Sequence, residues 1–147
     1  MNSSELFIAE FVARLCPGVE HFSDWGDFRA IGFTIDGLLV AGAVFSQLNG
    51  FDALMSFGAT TPRWATRNRF EQVLRFGFED LDLKRITATT SRKNARARKV
   101  LKGAGFREEG MKRRGFDGVI DLMIYGMTKR DFQIWALRKQ GRLAQAA

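Results

Sequence analysis

At 147 residues, with 46% hydrophobic and 27% charged residues, the chain has the size and composition of one folded domain and excludes a disordered class. A single cysteine (Cys16) and a single histidine (His21) exclude a disulfide scaffold, a zinc finger, an HExxH protease and any Ser-His or Cys-His triad lacking His21. The net charge of +7 is uneven: Arg63 to Arg114 carries 16 basic and 6 acidic residues, the remainder 7 and 10, which points to an anionic partner for the central segment.

Residues 4–15 (SELFIAEFVARL) set Leu6, Phe7, Phe11 and Leu15 at helical spacing, which predicts a helix capped by Ser4 and ending before Cys16-Pro17-Gly18. Glu5 and Glu10 stand where a secretion signal would be basic and then apolar, and no run of about 18 apolar residues follows. The expectation is a cytoplasmic protein that does not enter a membrane. Residues 28–35 alternate as a strand, and Asp36-Gly37 signals a hairpin turn. Residues 38–48 form the mostly apolar return strand, Asn49-Gly50 a second tight turn, and residues 52–59 a third strand. This is an antiparallel meander.

From 66 to 81 the pattern changes. Phe70, Val73, Leu74, Gly77, Phe78 and Leu81 fall on one helical face, predicting one amphipathic helix. A short strand follows at 84–90. A helix then starts at Asn94, buries Ala97, Val100, Leu101 and Ala104, and stops at Gly105. Residues 107–114 and 119–127 read as a closing hairpin through Phe116-Asp117-Gly118, and a last helix spans 131–143. The order α, β-β-β, α, β, α, β-β, α describes a single α/β (α+β) domain over residues 1–147, with no linker, repeat or low-complexity tract.

The stretch from Phe76 to Gly110 closely resembles the second half of the GNAT superfamily of N-acetyltransferases. The matching pieces are Phe78, Leu81, Leu83, Arg85, Asn94, Gly105-Phe106, Glu109-Gly110 and Asp121 through Tyr125-Gly126-Met127. The likeness covers about residues 28–131, and the nearest look-alikes are ribosomal-protein-type and phage-like members. It implies a mixed, mostly antiparallel central sheet flanked by helices, with the family's fourth and fifth strands splayed. It also implies acetyl-CoA as co-substrate. The pantetheine arm would pair with the open strand edge at Ser56, Phe57, Gly58 and Ala59, as a peptide adds to a sheet edge. The diphosphate would lie in the turn Thr61 to Asn68, at the start of the next helix.

The family's phosphate turn carries glycines, which let backbone N–H groups approach oxygen atoms closely. Here it reads Thr60-Thr61-Pro62-Arg63-Trp64-Ala65-Thr66-Arg67-Asn68, with no glycine. The side chains of Arg63, Thr66, Arg67 and Arg69 are expected to take over, since a guanidinium grips phosphate through two donors. The expected cofactor-binding set is therefore Phe57, Gly58, Ala59, Arg63, Trp64, Ala65, Thr66, Arg67, Asn68, Arg69, Asn94 and Arg98.

Catalysis is expected from Asn94, Asp52 and Ser56. Asn94 would contact the pantetheine or a water, besides capping its helix; Asp52 would serve as base, with Glu10 and Asp24 as alternatives; Ser56 would orient a water or the thioester carbonyl. Family members often place an acid at the positions held here by Ala97 and Leu101, and the single tyrosine, Tyr125, reads as structural. Phe22, Trp25 and Phe28 line an acceptor pocket or the core.

With no organised nucleophile, the resemblance implies direct attack of a primary amine on acetyl-CoA, without a metal. The acceptor could be a protein N-terminus or lysine, a polyamine-like amine or an aminoacyl-tRNA. Nucleic acid is not expected as a partner, and the closing hairpin and last helix leave room for a homodimer. The alternative is a catalytically weakened, phage-encoded binding protein on the same fold, and a basic RNA-binding domain is a third reading.

Overall fold

The computed structural model describes residues 3–64 and 66–146. The chain forms two compact units, Met1–Ala88 and Thr89–Ala147. The first opens with helix α1 (Ser3–Leu15), which contains Ser4 within its first turn rather than before it. A 3₁₀ turn at Phe22–Trp25 follows, closed by a reciprocal cap between His21 and Asp24. Strands β1 (Phe28–Ile35), β2 (Leu38–Ser46) and β3 (Leu54–Ala59) form the predicted antiparallel meander. Asp36 and Gly37 both take positive φ, 52° and 79°, the backbone of a two-residue hairpin turn.

Three glycines fix the seat of α1. Gly32 pairs with Gly42 and Gly42 with Gly58, a row across three strands. A Cβ at Gly42 would come within 3.0 Å of Ile8 and Val12, and one at Gly58 within 3.1 Å of Leu15. The helix therefore lies against bare backbone, while Ala9, Val12, Phe28, Ala30 and Val44 close the core on that face.

Helix α2 (Arg67–Arg75) buries Phe70, Val73 and Leu74. The helix expected over 66–81 runs without a break to Asp80, but its last turn, Phe76–Asp80, widens into a π turn, with Leu81 N–H reaching the Phe76 carbonyl at 2.9 Å. Ile86 and the Phe45 ring lie close against Gly77 in this turn, where a Cβ would stand 2.8 Å and 3.0 Å from them. Strand β4 (Arg85–Ser91) then passes from the first unit into the second.

The second unit adds α3 (Ala95–Gly103), β5 (Arg107–Lys112), β6 (Leu122–Thr128) and α4 (Lys129–Ala146). Strand order is β1-β2-β3-β4-β6-β5, parallel between β3 and β4 and antiparallel in β1-β2-β3 and β5-β6. This is the mixed, mostly antiparallel sheet expected from the sequence. Gly105 takes φ +100 past the end of α3 and lets Met127 approach to 3.0 Å of where its Cβ would be. The β5–β6 register shifts between Glu108 and Gly110, and the Glu109 carboxylate folds across the bare Cα of Gly126. Among the described residues no helix is long and apolar enough to cross a membrane.

Candidate functional site

Strand β3 turns one edge to β2 and the other away from it. Thr60 N–H donates to the Val40 carbonyl at 3.0 Å, and Thr87 N–H to the Ala53 carbonyl at 2.9 Å. Given the pairs Gly42↔Gly58 and Ala43↔Phe57, even-numbered peptide groups of β3 face β2 and odd-numbered ones face the β4 side. Leu54↔Thr87 is the one β3–β4 register pair among the described residues. That pairing lies at the start of β3, and the Phe57 and Ala59 N–H groups further along point to the side away from β2. The Phe57 ring packs on Phe70 of α2, with centroids 4.6 Å apart, so the strand and the helix after it are locked together.

The chain runs from β3 through a 3₁₀ turn at Pro62–Trp64 into α2. Thr66 is the N-cap: its hydroxyl accepts from Arg69 N–H at 3.4 Å and from the Arg69 guanidinium at 3.2 Å. Helix starts ordinarily collect acidic side chains, which complement the positive end of the dipole. The first turn of α2 has none and instead carries Arg67 and Arg69, with Arg63 just before it. The guanidinium carbons of Arg63 and Arg69 lie 4.6 Å and 4.8 Å from the centre of the Trp64 ring. Trp64 thus gathers two arginines beside a helix N-terminus. Gly58 and Ala59 lie just upstream on the same strand, Asn68 lies in the first turn, and Ala65 lies outside the described residues.

The other expected residues carry structural partners. Asp52 lies before β3, at the end where β4 is still attached; it accepts from the Thr87 hydroxyl at 3.1 Å and pairs with Arg85 at 3.3 Å. Ser56 shares the α1 face of β3 with Gly58 and is half-buried. Of the alternative bases, Asp24 accepts the N–H groups of Glu20 and His21, and Glu10 pairs with Arg14 at 3.6 Å. In the second unit, Asn94 caps α3 by accepting from Ala97 N–H at 3.0 Å. Arg98 donates to the Tyr125 hydroxyl at 3.0 Å, to Glu108 at 2.9 Å and to the Arg92 carbonyl at 3.1 Å. Tyr125 is fully buried. Its bond to Arg98, and then the Glu108 pairing, hold that guanidinium above its ordinary pKa, while Arg98 holds the Glu108 carboxyl below its own.

Sequence reasoning missed Cys16 as a neighbour of this site. Its thiol donates to the Phe57 carbonyl at 3.8 Å, and burial pushes its pKa up to about 11. That burial favours a neutral thiol over a thiolate nucleophile at neutral pH. Nothing in the spacing of Cys16 and Phe57 signals the contact. No group of three or more potential metal ligands comes together among the described residues.

No protein-family model matches the chain, and no curated protein matches it. Solved structures do. A chimera of the spermidine N-acetyltransferase SpeG from Vibrio cholerae with hSSAT superposes at TM-score 0.72 and 16% identity, over 90% of this chain and 95% of that one. An acetyltransferase of the GNAT family from Bacillus anthracis gives 0.63 and 18%, over 86% and 87%. A probable acetyltransferase gives 0.63 and 23%, over 75% and 69%. The chain is thus similar to GNAT acetyltransferases in fold. The narrower likeness to ribosomal-protein-type and phage-like members finds no support in these structures.

Proposed function

We propose that this protein is a cytoplasmic, acetyl-CoA-dependent N-acetyltransferase that acts on a primary amine. One observation carries the reading: the Phe57 and Ala59 N–H groups, turned away from β2, lead directly into a helix N-terminus lined by Arg63, Arg67 and Arg69 and free of acids. An edge of N–H groups suits the amides of a pantetheine arm, and a cationic helix start suits a diphosphate. The arginines offset the missing glycines, because they bring donors to the phosphate where a backbone bearing side chains cannot come as close.

Acetyl-CoA supplies an activated thioester when bound. The chain holds and orients it: Phe57 N–H is the donor best placed on the edge to polarise a carbonyl laid along it, and the Phe57–Phe70 stack keeps that donor fixed. Cys16 stays protonated and inward, which favours direct attack by the amine over a thioester relay through the protein. Ser56, next to Phe57 in the strand, is the side chain we assign to orienting the amine or a water; Asp52 and Asn94 hold the ends of β3 and α3. Spermidine appears in the name of one structural relative, so a polyamine is the first acceptor to try.

The test is a thermal-shift titration with CoA and acetyl-CoA, followed by thiol release against spermidine, lysine and peptide N-termini. Ligand at about 100 times its dissociation constant should add about 2.7 kcal/mol of stability. The combined Arg63→Ala, Arg67→Ala and Arg69→Ala variant should lose most of that gain while remaining folded. Absence of stabilisation at saturating acetyl-CoA overturns the proposal.

A further inference from the structure

The basic excess does not reside mainly where a diphosphate would bind. The first unit carries 8 basic and 11 acidic residues, net −3, whereas the second carries 15 basic and 5 acidic, net +10. Within the second unit the charge is organised. Asp121 accepts from Arg114 N–H at 2.9 Å and from the Arg92 side chain at 3.1 Å, tying the β5–β6 hairpin to the segment that opens α3. Arg113 adjoins Arg114 in the hairpin loop, and Lys93 adjoins Arg92 in the turn before α3. Arg96 follows in the first turn of α3, and all five cations are exposed. Two acids face them. Asp121 is taken up as described, and Asp117 accepts the N–H groups of Val119 and Ile120 at 2.9 Å and 2.8 Å. Phe116 stands exposed on this hairpin loop, two residues after Arg114.

We infer that the second unit binds single-stranded nucleic acid on this face, with Arg92, Lys93, Arg96, Arg113 and Arg114 on phosphates and Phe116 stacking on a base. Arginine-dominated charge answers the phosphate backbone, and an exposed ring beside it answers the π-face that every base offers. An acidic protein would match the charge but gives Phe116 no comparable role. The inference reverses the sequence-based expectation of no nucleic-acid partner, and it does not depend on the acetyltransferase reading.

The experiment is fluorescence anisotropy of the full chain with a labelled oligouridine about 20 nucleotides long, between about 50 and 200 mM salt. Five phosphate contacts predict a log–log salt slope of about −3 to −4. The Lys93→Ala, Arg96→Ala and Arg113→Ala triple variant should bind at least about tenfold more weakly and lose about 2 from the slope. Should that variant fail to fold, Arg113→Ala alone carries the same test with a slope change of about 0.7. Phe116→Ala should weaken binding about fivefold or more at unchanged slope. The Arg63→Ala, Arg67→Ala and Arg69→Ala variant should lose CoA stabilisation and keep the oligonucleotide, so the two readings fail separately. No binding at the lowest salt overturns the inference, as does equal loss in both triple variants. So does displacement by polyglutamate at equal charge with Phe116→Ala inert, which would mark an acidic-protein surface instead.

Discussion

Gly42 stands directly opposite Gly58 in the β2–β3 ladder, and a side chain on either would meet α1. The helix, the glycine row and β3 are therefore one mechanical unit: the bare backbone that seats α1 also brings Cys16 within reach of the Phe57 carbonyl. A methyl group at Gly42 would have to displace Ile8 and Val12, each 3.0 Å from its position. Gly42→Ala is expected to cost about 1–3 kcal/mol in denaturant unfolding. Gly103→Ala, at the end of α3 with nothing within 4 Å of the new methyl, should be neutral or gain up to about 1 kcal/mol. A neutral Gly42→Ala would show that α1 is not seated by this row.

A second consequence concerns acid stability. Glu5 of α1 is buried, and its carboxylate accepts from Ala30 N–H and Arg29 Nε, both at 2.9 Å. Burial works to raise its pKa, but the Ala30 and Arg29 hydrogen bonds and the Arg29 charge outweigh it, and the net shift is downward. A carboxyl with a depressed folded pKa stabilises the fold above its unfolded value, about 4.3, and loses that contribution as pH falls through the folded value. Glu5→Gln should destabilise by about 1–3 kcal/mol at pH 7, with the difference from the parent shrinking below about pH 4. Urea midpoints measured across pH check it; a difference independent of pH would refute the assignment.

The meander, the helix positions and the strand–turn–helix order of the candidate site were legible because they rest on local signals: Asp36-Gly37, the apolar periods and the Asn94 cap. Strand ends were less so. Asn49 accepts from Phe51 and Asp52 N–H, and Asp117 from Val119 and Ile120 N–H, so each side chain takes up donors that strand pairing would have used. The strands expected over 38–48 and 119–127 accordingly run as Leu38–Ser46 and Leu122–Thr128. The π turn was invisible for another reason. Phe70 to Leu81 fit an α period, and the close approach of Phe45 and Ile86 to Gly77 joins residues distant in sequence. The family-like residues Gly105 and Glu109 lie in the second unit, against Met127 and Gly126. The pairing of Trp64 with Arg63 and Arg69 required the folded turn.

Cys16 gives a chemical prediction. With its pKa pushed up to about 11 by burial, the thiol should react with a disulfide reagent at pH 8 far more slowly than an exposed cysteine, and at the ordinary rate once the chain is unfolded. Cys16→Ser should retain acetyl transfer, and intact-mass measurement during turnover should find no acetyl group on Cys16. Burst-phase acetylation of Cys16 would rule out direct attack.

The last prediction separates the two halves of the Arg98 network. Tyr125 is fully buried, and its hydroxyl sits 3.0 Å from Arg98 Nε and 3.4 Å from Glu108. Tyr125→Phe keeps the ring and its packing but removes the acceptor, leaving Arg98 Nε without that partner in a half-buried position. The expected loss is about 1–3 kcal/mol. Arg98→Lys should also destabilise, since an ammonium on a flexible stem cannot serve Tyr125, Glu108 and the Arg92 carbonyl at once as the planar guanidinium does. Because both changes break the same network, the double variant should cost less than the two singles combined, by at least about 0.5 kcal/mol. Strict additivity in chemical denaturation would mean that Tyr125 and Arg98 contribute independently and that the network is not a unit.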